Sequence, residues 1–177
     1  MMKPVALGAA AVAAPDLYTM DINAVQLFAG GMIDGLIMKD NLPEMQKCLG
    51  DAKTLAPEVQ KIVNEMAKGD LSDVIAGIKD AVALVKSLPT EFKECETVQD
   101  DIAKVKKWAA TFATAEGEVK VVENVMSNWS TIQGDIGTIN SDMTAGEYVE
   151  AGETAADVVI LALGKIEQPA PEVAYLY

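Results

Sequence analysis

Apolar positions recur along most of the chain at intervals of three and four, with no sustained alternation, the pattern of amphipathic helices rather than strands. A first helix is expected from Asp21, a good N-cap, to about Met38. A second opens after Asn41 with Pro43 in its first turn, where a missing N–H costs nothing. It carries Leu42, Met45, Leu49, Ala52, Ala56, Val59, Val63 and Met66 with a kink at Pro57, and Gly69 ends it. Asp70 caps a third helix with the stripe Val74, Ile78, Ala81, Val85 and Leu88. Pro89-Thr90 marks the start of a fourth, carrying Phe92, Cys95, Val98, Ile102, Val105, Ala109 and Phe112. A fifth follows Gly117 and places Val119, Val122, Met126, Trp129, Ile132, Ile136, Ile139 and Met143 on one face. Thr144-Ala145-Gly146-Glu147 has the form of a capping box for a last helix ending at Gly164. Short connections make neighbouring helices antiparallel, so the expected fold is all-α: a single-domain bundle of five to six antiparallel helices over residues 14–164.

The two ends depart from this pattern. Met1-Met2-Lys3, an apolar run from Val5 to Val12 and the small-x-small triplet Ala11-Val12-Ala13 have the form of a secretory signal over residues 1–13. The alternative is a retained apolar arm. Residues 165–177 hold Pro169 and Pro171, which forbid a regular helix, and close on Val173-Ala174-Tyr175-Leu176-Tyr177. No segment approaches 18 uninterrupted apolar residues, so no membrane span is expected.

Charge narrows the function. The 177 residues include 27 acidic and 14 basic ones, a net charge of −13, and every basic residue is Lys. Such a surface repels phosphate, which argues against nucleic acid and anionic membranes as partners. Without Arg there is no bidentate grip on phosphate or carboxylate. Without His the usual neutral-pH acid–base group and commonest transition-metal ligand are missing. No cofactor, metal site or enzyme activity is expected.

Cys48 and Cys95, on apolar helix faces of a chain with a secretory signal, are expected to pair, the alternative being two buried free thiols of a cytosolic core. The loop closed would hold about 48 residues, worth roughly 4 kcal/mol in the chain-entropy account. Gly30, Gly31 and Gly35 inside the first helix each cost up to about 1 kcal/mol relative to Ala. Gly31 and Gly35 form a small-xxx-small face suited to close helix packing, and neither dinucleotide nor Walker spacing is present. Trp108, Phe112, Met126 and Trp129 would meet across two neighbouring helices, as core or as an apolar pocket. Asp100, Asp101, Asp135, Asp142, Glu147, Glu150 and Glu153 lack calcium-loop spacing and read as a solvated acidic face. Asn128-Trp129-Ser130 is a glycosylation sequon, but its mid-helix position argues against occupancy.

The residues Phe28-x-x-Gly31-x-x-x-Gly35-Leu36, Cys48, Glu94-Cys95, Asp101-Ile102, Trp108-x-x-x-Phe112, Asn124, Ile136 and Tyr148-x-x-x-Gly152 carry a resemblance across residues 25–163. They resemble an expanded, functionally uncharacterised group of small secreted helical proteins of ciliated protists and related eukaryotes. The resemblance implies a secreted bundle with one disulfide and brings no catalytic residues. The expected role is a secreted structural or self-assembling protein, a homo-oligomer or polymer such as a filament or sheath subunit. In that role Val173, Tyr175, Leu176 and Tyr177 dock on a neighbour. The rival expectation is a secreted carrier of a lipid or other apolar ligand in the bundle interior.

Overall fold

The computed structural model describes residues 16–37, 43–44, 53–91 and 99–166, with the backbone alone for 88–91. Residues 1–13, Cys48, Cys95 and the tail residues Val173, Tyr175, Leu176 and Tyr177 lie outside the described residues. Seven helices and no strand are present among the described residues. They are α1 (Ile22–Ile37), α2 (Ala56–Lys68), α3 (Leu71–Glu91), α4 (Gln99–Ala110), α5 (Ala115–Ser127), α6 (Trp129–Ala145) and α7 (Tyr148–Leu163).

Asp21 opens α1 by accepting the Ala24 N–H on Oδ1 at 2.7 Å, supplying a partner for one orphan donor of the first turn. The helix is apolar around nearly its whole circumference, which suits only a central position. From Ala24 to Ile37 it is buried on almost every side, with Phe28, Met32, Ile33 and Leu36 at its heart. Its main partner is α7, whose Ala151, Gly152, Ala155 and Ala156 make an unusually thin face.

The remaining helices wrap this pair. α2 packs on α3, and α3 on α4; α6 and α5 both lie on α7. Val59, Ile62, Val63 and Met66 from α2, Val74, Ile78, Ala81 and Val85 from α3, and Ile102, Val105 and Ala109 from α4 join one continuous apolar core. Gly69, with φ of 76°, and Gly164, with φ of 85°, close α2 and α7 in a backbone conformation that L side chains resist.

Several expected boundaries are displaced. Pro57 stands in the first turn of α2 after a turn at residues 53–55, so it starts a helix and does not kink one. Pro89 does not begin the next helix, because α3 runs through it to Glu91 and forgoes one N–H donor in its last turn. The expected fifth helix divides at Asn128 into α5 and α6, which is why the helices number seven and not five or six. α5 begins at Ala115, ahead of Gly117, and is capped by Thr114, whose side chain accepts the Gly117 N–H at 3.1 Å. The Thr144–Glu147 capping box does not form. Thr144 belongs to the last turn of α6 and its hydroxyl donates to the Asn140 carbonyl at 2.8 Å, while Glu147 makes no side-chain cap. Gly146, at φ 79°, instead closes α6 by directing its N–H to the Asp142 and Met143 carbonyls.

Candidate functional site

The glycines in α1 answer to those in α7. A Cβ at Gly31 would fall on the Val149 carbonyl oxygen, and one at Gly152 would fall on the Phe28 carbonyl oxygen. One at Gly35 would stand 2.7 Å from the Ala156 Cβ. Two backbones therefore touch along Gly31, Gly35, Gly152 and Ala156. Such approach recovers dispersion contact that offsets the conformational cost of glycine in a helix. The seam between α1 and α7 is closed by their own main chains.

The four residues expected to share an apolar pocket are not brought together. Trp108 and Phe112 meet edge to face, with centroids 5.9 Å apart. Trp129 stands on α6, which makes no contact with α4 among the described residues. Met126 is 61% exposed. The reason is the phase of α5. Val121 and Val125 face inward, and the Asn124 and Asn128 side-chain amides donate to the Ala162 and Leu161 carbonyls of α7 at 2.9 and 3.4 Å. This turns Val119 and Met126 to the outside, with part-exposed Val122 between them and part-exposed Trp129 one turn on. Val119, Val122 and Met126 thus form a short apolar row on the outside of α5, while Trp129, beyond the break at Asn128, packs partly against the core.

Asn128 Nδ2, the atom a glycan would take, also donates to the Asn124 carbonyl at 2.9 Å. Attachment there would replace one of the two Nδ2 hydrogens and so cost one of the bonds that hold α5 against itself and α7.

A cavity of about 190 Å³ opens between α3, the turn after α4 and the first half of α5. Buried Ile78 and Val121 form its floor, Phe112 and Val82 its walls, and Lys79 and Lys86 stand over it. Lys79 pairs with Glu118 across 3.5 Å. Phe112 is the one member of the expected quartet that lines it.

Charged groups cluster elsewhere without forming a reactive centre. Among the described residues no group of three potential metal ligands converges. Residues 121–164 carry Glu123, Asp135, Asp142, Glu147, Glu150, Glu153 and Asp157 and not one Lys. Burial, with the negative charge of Asp157 second, holds the Asp135 carboxyl above its ordinary value. Glu65 on α2 faces Asp80 on α3. Burial first, and then a hydrogen bond to Asp80 and its charge, push the Glu65 carboxyl up to about 7, against the pull of Lys61 and Lys68. Lys61 ties the same pair, reaching Asp80 at 2.7 Å and Glu65 at 3.8 Å.

A clasp that periodicity does not reveal precedes α1. The Tyr18 N–H donates to Asn64 Oδ1 at 2.8 Å and the Met20 N–H to Gln60 Oε1 at 2.8 Å. Gln60 Nε2 and Asn64 Nδ2 both return a bond to the Tyr18 carbonyl, and the Tyr18 hydroxyl donates to Asn140 Oδ1 at 2.8 Å. This extended segment is thereby stitched to α2 and α6. The polar residues Gln60 and Asn64 on α2 were the available signal.

A family model described as SctB-like, Secreted protein B-like, matches residues 8–163. No curated protein and no solved structure matches the chain.

Proposed function

Because the chain belongs to the Secreted protein B-like family, we propose that it is a secreted, non-catalytic structural protein whose copies associate through apolar surface left outside the bundle. The observation that carries this reading is the apolar row on α5. Val119 and Met126 are 60% and 61% exposed with part-exposed Val122 between them, although the same helix has apolar residues enough to serve the core. Apolar surface arranged in a row, rather than scattered, marks an interaction site. Its occupant in this reading is the apolar segment Val173, Tyr175, Leu176 and Tyr177 of a second copy. Such a contact is heterologous and propagates unless its rotation closes a ring, which is how a filament or sheath would grow.

The rival reading, a carrier with its ligand in the bundle interior, finds no room at the α1–α7 seam, where the backbones touch at Gly31 and Gly152. The support for a non-catalytic role is a charge inventory without His or Arg.

Light scattering across a concentration series tests the proposal on three chains: the full sequence, a deletion of 169–177, and the double substitution Val119→Lys with Met126→Lys. Assembly by the full chain and its loss in both altered chains is expected. A full chain that stays monomeric, or assembly indifferent to both changes, overturns it.

A further inference from the structure

The cavity beside α3 joins an apolar floor to two ammonium groups, Lys86 and the Glu118-paired Lys79. We propose that it binds a small amphipathic carboxylate, a chain or ring of about six apolar groups ending in one anionic head. This site is independent of the assembly surface.

Size sets the body of the ligand. At about 30 Å³ for each water-sized group, a volume of 190 Å³ holds roughly six of them. Ile78 and Val121 are fully or nearly fully buried beneath the cavity, and Phe112 closes one side, so what enters must be apolar.

Charge sets the head. Lys79 and Lys86 are seven residues apart on α3, two turns along one face and roughly 10 Å apart along the axis. Val82 and Ala83 lie between them on the cavity wall. Lys61, Lys68, Lys79 and Lys104 each reach a carboxylate. Lys86 pairs with no carboxylate among the described residues, and the Lys79–Glu118 pair is about half exposed on both sides, an interaction readily exchanged. In a chain of net charge −13, a lining of two lysines against the one carboxylate of Glu118 leaves a net positive charge at this cavity, opposite in sign to the whole. Lysine offers a point charge without the fork that planar bidentate recognition uses, which suits a single compact anionic head.

Hexanoate is the probe, with hexanol and acetate as the apolar-only and anion-only controls. The readouts are methyl NMR shifts at Ile78, Val82 and Val121, and Trp108 fluorescence in a Trp129→Phe background, since Trp108 stacks on Phe112. Saturable shifts with hexanoate are expected, at least tenfold weaker binding for either control, and at least tenfold weaker hexanoate binding to Lys79→Gln/Lys86→Gln. These surface changes leave the core untouched, and circular dichroism checks that they fold. Ala83→Phe, which fills the cavity, should abolish the shifts. No saturation by hexanoate, equal binding by hexanol, or undiminished binding to the double lysine variant would each overturn the proposal.

Discussion

A carboxyl group buried beside another carboxylate must give up its charge or its position, and Glu65 keeps its position by holding a proton toward Asp80. The charged groups facing it are Asp80 from α3 and Lys61 and Lys68 from its own helix. Its folded value, about 7, lies above the ordinary 4.5, so the fold holds this proton more tightly than the unfolded chain does. The stabilisation is therefore complete below about pH 4.5 and is lost as pH rises through about 7. Asp135, raised in the same direction, adds to the trend. Glu65→Gln keeps a donor toward Asp80 without a titratable proton. Thermal melts from pH 5 to pH 8 should show a steeper decline for the native chain, with the variant more stable at pH 8 by about 1 kcal/mol. Equal slopes for the two chains would remove Glu65 from the account. None of this is visible from Glu65 and Asp80 as letters, because fifteen positions separate them and only the packing of α2 on α3 makes them neighbours.

At the scale of elements, the seam between α1 and α7 makes glycine obligatory at some positions and a cost at others. Gly152→Ala drives a methyl into the Phe28 carbonyl and should destabilise by about 1–3 kcal/mol, with Gly31→Ala alike. Gly134 and Gly137, on α6, have nothing within 4 Å of an added Cβ. Gly134→Ala should therefore stabilise by up to about 1 kcal/mol through the unfolded chain's lost freedom. Denaturant midpoints for the three variants, at unchanged slope, provide the check; destabilisation by Gly134→Ala of the same size as by Gly152→Ala would contradict the seam. The small-residue spacing at Gly31 and Gly35 is readable in sequence, whereas the matching Gly152 and Ala156 could be recognised as their partners only once α7 was seated on α1. The same holds for α5. Val119, Val122 and Met126 form as regular a stripe as Val121 and Val125, and period cannot choose between two apolar faces of one helix. Asn124 and Asn128 choose, by bonding the Ala162 and Leu161 carbonyls.

For the whole molecule, the net charge of −13 opposes any contact between copies. Raising ionic strength from about 0.01 to 0.15 M shortens the screening length from about 30 to 8 Å, while leaving apolar attraction nearly unchanged. If the stripe and the tail drive assembly, the concentration at which particles appear should fall as salt is added. Sedimentation velocity at the two salt levels measures this, and dissociation by salt would point to ion pairs in place of apolar contact. No described helix is long and apolar enough to cross a membrane, so the exposed apolar row is not part of a span.

Sequence alone determined the helical class, the cap at Asp21, the stops at Gly69 and Gly164, and the buried positions Val74, Ile78, Ala81 and Val85 of α3, Ile102, Val105 and Ala109 of α4, and Ile132, Ile136, Ile139 and Met143 of α6. These depend on local periodicity and on backbone conformations that neighbouring residues set. Tertiary structure alone decided which face of α5 turns inward, where Asn128 divides two helices, how Tyr18 is clasped by Asn64 and Asn140, and that Phe112 opens onto a cavity with Lys79 and Lys86. Each of those outcomes joins groups far apart in the chain, as Tyr18 and Asn140 are by 122 positions. Their energies exist only after the bundle has closed, so no window along the sequence contains them.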